Sequence, residues 1–244
     1  YIIINTIILL VSVTFFVPKI VTQGHTNSWL RTTLSIPVTE KIKTDLELQH
    51  RRQNDFESDN LFDKNLMYTF RTWVYYKQNK DVVYALSPFA YFSNYKIIQN
   101  ESDGFTAPIN EYRFTASLEI QHQLATKLFV VDRTALEYRV FEGSVENTTR
   151  LRNRLALRYD YNSNYNIALG DEILINSSGT DAQHIFDHNR IFTNLSYKPN
   201  SEFKFDIGYI YISRLTKSNI DLIDENNFYL NNLVLLLLKN ILFL

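Results

Sequence analysis

The side chains best suited to chemistry in this sequence are four of its five histidines and the charges near them. His184 follows Asp181 by three residues and His188 directly follows Asp187, spacings that suggest acid–base pairs, while His50 and His122 stand apart. A hydrolase needs a nucleophile beside such a pair, and no Gly-x-Ser-x-Gly elbow or comparable motif accompanies either one. His188 also shares a strand face with Arg190, where a hydrogen-bonded structural histidine is the common outcome, and Asp187, its neighbour in sequence, is expected on the opposite face. The chain has no cysteine, which excludes a catalytic thiol, a Cys-based zinc site and a disulfide scaffold. Asp55, Glu57, Asp59 and Asp63 share one polar stretch and offer oxygens to Ca²⁺, or through it to lipopolysaccharide phosphates; a solvated acidic loop is the plainer reading. No glycine-rich phosphate loop occurs, and no cofactor is expected.

A larger set of charges recurs at every second residue. Glu111, Arg113 and Glu119 form one series, Arg133, Glu137 and Arg139 the next, then Arg150, Arg152, Arg154 and Arg158, with Glu172 and Arg190 beyond. Arginine binds carboxylate bidentately through its planar fork, so such series suit ion pairs in a confined space. The elements that position them must be extended, because period-2 spacing puts all members of a series on one face of a strand and scatters them around a helix. Between Glu111 and Gln123 the other face carries Tyr112, Phe114, Ala116, Leu118 and Ile120.

The same alternation predicts about eleven strands, beginning near Ser28, Lys41, Asn65, Asp81, Ile109, Lys127, Thr149, Tyr165, Ile185, Glu202 and Phe228. Many run to ~12–16 residues, against ~5–6 in soluble sheets, as expected of strands that cross a bilayer at a tilt. Tight connections at 37–39, 78–80, 124–126, 162–164 and 199–201 alternate with longer polar ones at 54–64, 99–108, 142–148, 177–184 and 215–227. A soluble β-sandwich has the same alternation, but not this strand length or tyrosines near strand ends on the apolar face, such as Tyr159, Tyr161, Tyr197, Tyr209 and Tyr211. The fold class is therefore all-β: an antiparallel up-and-down transmembrane β-barrel of 10–12 strands spanning 28–244. Bacterial barrels have an even strand number, so eleven candidates imply one missed or one non-spanning strand. The run Leu233–Leu238, which loses its alternation, is the weakest. Residues 1–24, led by an apolar run from Tyr1 to Val17, read as a signal peptide shortened at its start.

The order of short motifs carries a family resemblance. Trp29, Gln49-His50-Arg51-Arg52, Glu111-Tyr112-Arg113, Leu136-Glu137-Tyr138-Arg139, Arg150-Leu151-Arg152-Asn153-Arg154, Asp171-Glu172-Ile173, His188-Asn189-Arg190 and Gly208-Tyr209 together resemble the bacterial family called domain of unknown function 2490. The resemblance covers roughly Trp29 to Tyr211. It implies an outer-membrane barrel of the kind found in Bacteroidota and other Gram-negative bacteria, without an assigned activity. Asp132-Arg133 and the atypical last strand depart from the family pattern.

Balanced charge, 25 basic against 26 acidic side chains, supplies no overall field for nucleic acid. The expected partners are outer-membrane lipid and lipopolysaccharide, the barrel assembly machinery and small solutes. Pairing strands across their turns predicts Arg113 opposite Glu137, Glu111 opposite Arg139 and Arg154 opposite Glu172. The twelve charges of the recurring series then line the lumen, either as a salt-bridged plug or as a narrow pore. The alternative is a weakly anion-preferring passage, because the Arg150–Arg158 stretch leaves basic charge over; an outer-membrane hydrolase is the least supported reading.

Overall fold

The computed structural model describes residues 25–144, 146–215 and 222–236. Eleven strands fill the described chain: β1 His25–Pro37, β2 Ile42–Gln53, β3 Lys64–Lys77, β4 Val82–Asn94, β5 Ile109–Ala125, β6 Leu128–Phe141, β7 Thr148–Asp160, β8 Tyr165–Ser178, β9 Phe186–Tyr197, β10 Phe203–Leu215 and β11 Leu222–Leu235. Each pairs with its sequence neighbours, and β11 returns to β1 to close a barrel. The signal-peptide segment 1–24 lies outside the described residues. Strand lengths run from 12 residues in β2 to 17 in β5. Twelve residues extend roughly 40 Å, and at the ~40° tilt of membrane barrels that covers about 30 Å of height, the thickness of a bilayer's hydrocarbon core.

Connections alternate as the sequence predicts. Tight turns at 38–41, 78–81, 126–127, 161–164 and 198–202 occupy one end, here the turn end; longer segments at 54–63, 95–108, 142–147 and 179–185 occupy the other, the loop end. β11 starts at Leu222 and not at Phe228, so the expected long loop 215–227 shrinks. Its first residues look like loop because polar groups occupy both faces. Glu225 and Asn227 point inward and accept hydrogen bonds from Asn27 Nδ2 at 3.0 and 2.9 Å, which fixes the strand against β1.

All neighbouring pairs are antiparallel except the seam, where β1 and β11 run parallel from His25↔Glu225 to Ser35↔Leu235. The odd count therefore needs neither a missing nor a spurious strand among the described residues: strands one and eleven both run toward the turn end, and parallel hydrogen bonding joins them.

Side chains divide by face. Outward positions are aliphatic or aromatic for most of the circumference, including Leu48, Leu86, Phe114, Leu157, Leu169 and Ile207, all exposed. Tyr159, Tyr161 and Tyr197 are exposed near the turn end. Not every ring faces outward, and both tryptophans are exceptions. Trp29 and Trp73 are buried inside, as are Phe92, Phe192 and Tyr229, with Trp29, Ile212 and Tyr229 forming an apolar cluster beside the seam. One stretch of the outer face is also polar: Asp132 and Asp171 point outward at mid-strand and accept from Asn153 Nδ2 at 2.8 Å and Asn189 Nδ2 at 2.7 Å.

Two inward glycines make room for the inner rings. A Cβ on Gly208 would lie 2.2 Å from the Thr193 carbonyl oxygen and 2.4 Å from Tyr229 Cζ; one on Gly170 would meet the Leu155 carbonyl at 2.4 Å and Phe192 Cζ at 2.5 Å. The nearest atoms are backbone, which cannot swing aside. Gly208→Ala is expected to cost about 1–3 kcal/mol through overpacking, and Tyr229→Ala should fail to rescue it. Urea unfolding of each variant in detergent, followed by the loss of the cold-stable band on gels, checks both.

Candidate functional site

Three inward carboxylates of the loop half, Glu111, Glu137 and Glu172, each hold at least two arginines. Glu111, fully buried, binds Arg113 through both oxygens and Arg139 at 2.6 and 3.0 Å. Glu137, equally buried, accepts from Arg150 at 2.5 and 2.9 Å and from Arg152 at 2.6 Å, with Arg113 4.0 Å away. Glu172 takes the other side of Arg152 at 2.6 Å and Arg190 at 3.0 Å. Asp187 joins the series at 2.5 Å from Arg150 and 3.9 Å from Arg139. A connected ionic layer thus runs across β5–β9. Arg214 with Glu225 at 2.8 Å, and Glu225 with Asn27, carry polar contacts on to the seam.

Two sequence expectations are corrected here. Arg113 faces Arg139, not Glu137, and Glu111 faces Phe141, because the β5–β6 turn falls at 126–127 with a bulge at Gln123/Ala125 and shifts the register by two. A shift of two keeps every residue on its face, so Glu111 still reaches Arg139, diagonally. Asp187 does not sit behind His188. β9 bulges where Leu174 pairs with His188 and Ile175 with Phe186, leaving Asp187 as the extra residue, free to turn inward. Arg154 does face Glu172 as expected, yet both Glu172 oxygens are already taken by Arg152 and Arg190.

Sequence reasoning missed the inner aromatics that carry the guanidiniums: Arg51 lies over Trp29 at 3.5 Å, Arg113 over Phe92 at 3.7 Å and Arg154 over Phe192 at 3.9 Å. Stacking of this kind suits arginine, whose planar, weakly hydrated head packs on a ring face. Parity was the available signal, since Phe192 sits two residues from Arg190 on the same strand.

Four of the twelve predicted lumen charges, Glu119, Arg133, Arg154 and Arg158, lie outside this layer, toward the turn end. There they line a cavity of about 480 Å³ whose wall also includes Asp160, Asn194, Ser196 and Lys204. Arg158 is held by Asp160 at 2.9 Å.

Among the described residues, His50, His184 and His188 do not assemble with a nucleophile. His50 faces outward, stacked on Tyr68 with ring centroids 4.3 Å apart. His184 binds Asp181 at 2.6 Å at the barrel rim. His188 is buried with Asp187 3.2 Å from its Nδ1. Among the acids of the first long loop, Asp55 pairs with Lys64 at 3.1 Å and Asp63 accepts from Asn60 at 2.5 Å; no group of ligands converges on a metal position among the described residues.

The loop 95–108 folds over the loop end. Gln53 donates to the Lys96 carbonyl at 2.8 Å and accepts from the Ile98 amide at 3.2 Å, and Ile98 is buried. The Asp103 carboxylate, also buried, accepts from the Gln99 and Asn100 amides at 2.9 and 3.1 Å and pairs with Lys96 at 2.5 Å. Burial works to raise its pKa, but the Lys96 ammonium and the two amides outweigh it and hold the group below the ordinary aspartate range.

A family model described as protein of unknown function (DUF2490) matches residues 26–222. No curated protein matches the chain. Among solved structures, a NanC porin aligns with 82% of this chain and 93% of its own at TM-score 0.49 and 12% identity. OmpT, an outer-membrane protein of Vibrio cholerae, aligns at TM-score 0.37 and 12% identity over 77% of this chain, which spans just over half, 56%, of that protein. Its trimer form aligns at TM-score 0.36 and 9% identity over 82% of this chain and 94% of that one.

Removing one partner of a buried ion pair strands the other. Glu137→Gln is therefore expected to cost about 3–5 kcal/mol, whereas Arg158→Gln, at a partly exposed pair, should cost about 1 kcal/mol or less; urea midpoints in lipid vesicles compare them. For Asp103, the folded-state pKa lies below the unfolded one, so its contribution to loop docking is present above the ordinary aspartate range and is lost as pH falls through the lowered value. Exchange of the Ile98 amide should accelerate over that acid range, and Asp103→Asn should show the faster exchange already at pH ~7.

Proposed function

The chain belongs to the DUF2490 family, and from that premise we propose that it is a non-enzymatic β-barrel of the Gram-negative outer membrane, closed in its loop half by a salt-bridged layer. The single observation that carries the reading is the ionic layer across β5–β9, in which Glu111 and Glu137 have no exposed surface. An interior of this density resembles the side-chain-filled lumen of small barrels more than the water-filled channel of large ones.

Placement in the outer membrane is supported by the strand lengths, the apolar outward faces and the alternation of tight turns with longer loops, which is the plan of bacterial outer-membrane barrels with turns toward the periplasm. Its surroundings would then be outer-membrane lipid and lipopolysaccharide, reached by export behind a cleaved signal peptide and insertion by the barrel assembly machinery. A non-enzymatic role fits histidines that meet carboxylates and rings and no activated hydroxyl.

A second reading, a weakly anion-preferring passage, is favoured by one observation: the turn-end cavity has four basic side chains, Arg133, Arg154, Arg158 and Lys204, against the carboxylates of Glu119 and Asp160. Planar-bilayer recording separates the two. The folded protein should give no steps above background, and the double variant Glu137→Gln/Arg152→Gln, which opens the ionic layer, should give them. Steady anion-selective steps from the unaltered protein would establish the passage instead.

A further inference from the structure

Two facing pairs of arginines occur on the inner wall, and only one of them is satisfied. Arg113 and Arg139 stand directly opposite each other on β5 and β6, and Glu111 binds both. Arg133 and Arg154 stand directly opposite each other on β6 and β7, with no carboxylate between them. Like charges facing across a ladder repel, and the repulsion grows where water is scarce.

The nearest acids form no ion pair with either guanidinium among the described residues, although the charges of Glu47 and Glu172 lie close enough to act on Arg133 and Arg154. Glu172 faces Arg154 but gives its two oxygens to Arg152 and Arg190. Glu119 faces Arg133 from β5, yet the two form no ion pair among the described residues. Each guanidinium rests on a ring instead, Arg133 5.2 Å from the Trp73 centroid and Arg154 3.9 Å from that of Phe192. The rings hold the arginine planes without using their N–H donors.

Both arginines border the turn-end cavity of about 480 Å³. Of its other charges, Arg158 pairs with Asp160 at 2.9 Å and Lys204 with Asp206 at 2.9 Å, while Glu119 has no ion pair among the described residues. Two guanidiniums against this one carboxylate leave net positive charge at the inner end of the cavity.

We propose that Arg133 and Arg154 form a binding site for the oxyanion of a small polar solute, a carboxylate or a phosphate, which enters from the turn end and takes the place that Glu111 occupies between Arg113 and Arg139. Two forks with free donors bind either group bidentately. Asparagine and serine side chains on the cavity wall, Asn166, Asn194 and Ser196 among them, suit a hydroxylated body better than an apolar one. The site depends on the turn half alone and stands whether the loop half is closed or open.

Trp73 beneath Arg133 supplies a reporter. In Trp29→Phe, which leaves Trp73 as the sole tryptophan, fluorescence of the folded protein in detergent should change saturably with sodium phosphate or sodium acetate, and not with sodium chloride at matched ionic strength. Arg154→Gln should weaken binding about tenfold or more, with the cold-stable gel band showing that the barrel still folds. Calorimetric titration of the unaltered chain with the same two salts covers the case in which Trp29→Phe does not fold. Saturation by phosphate alone or acetate alone assigns the anion. A response that is linear in concentration, equal for chloride, or unchanged in Arg154→Gln overturns the site.

Discussion

A carboxylate removed from water costs several kcal/mol unless its charge and lone pairs are met, and that cost organises this barrel's interior. Glu137 illustrates the solution. Arg150 approaches from the next strand and Arg152 from two residues further on, so the acid is enclosed by donors on one side while each arginine reaches onward to a second acid, Asp187 or Glu172. The geometry requires neighbouring inward positions to carry opposite charge in diagonal and not only in facing register. It also requires Asp187 to point in, which an unbroken strand cannot provide, and the bulge at the start of β9 provides it. Ring faces supply the remaining support by holding the guanidinium planes in place.

Much of this was legible in the sequence because parity is robust. An error of two residues in a turn, as at 126–127, leaves every side chain on its proper face, so the inward set from Glu111 to Arg190 could be read although the facing partners could not. Features that break parity were hidden. The bulge at Asp187 turns an outward position inward, and the irregular β3–β4 and β4–β5 pairings blur the faces around Trp73 and Phe92. Aromatic residues were also ambiguous by type: a tryptophan serves a lipid interface and a guanidinium platform equally well, and only neighbours from other strands decide between them. The start of β11 escaped notice because its six leading residues are mostly polar on both faces.

The outer face has its own asymmetry. Most outward positions are aliphatic or aromatic, yet Asp132 and Asp171 lie close to mid-strand with one asparagine donor each. Ionisable groups at that depth are costly in hydrocarbon and uncommon on lipid-facing strands. The two acids flank Leu155, which pairs with Asp132 on β6 and Asp171 on β8, so a lipid-type side chain on β7 stands between two outward carboxylates.

The parallel seam has a consequence for sidedness. In an even-stranded barrel the first and last strands are antiparallel, and the chain enters and leaves at the same mouth. Here β1 starts at the loop end and β11 finishes at the turn end. The two ends of the strand array, His25 and Leu235, are therefore held a full barrel height apart at opposite mouths, and the wall is drawn by an odd number of passes from one mouth to the other.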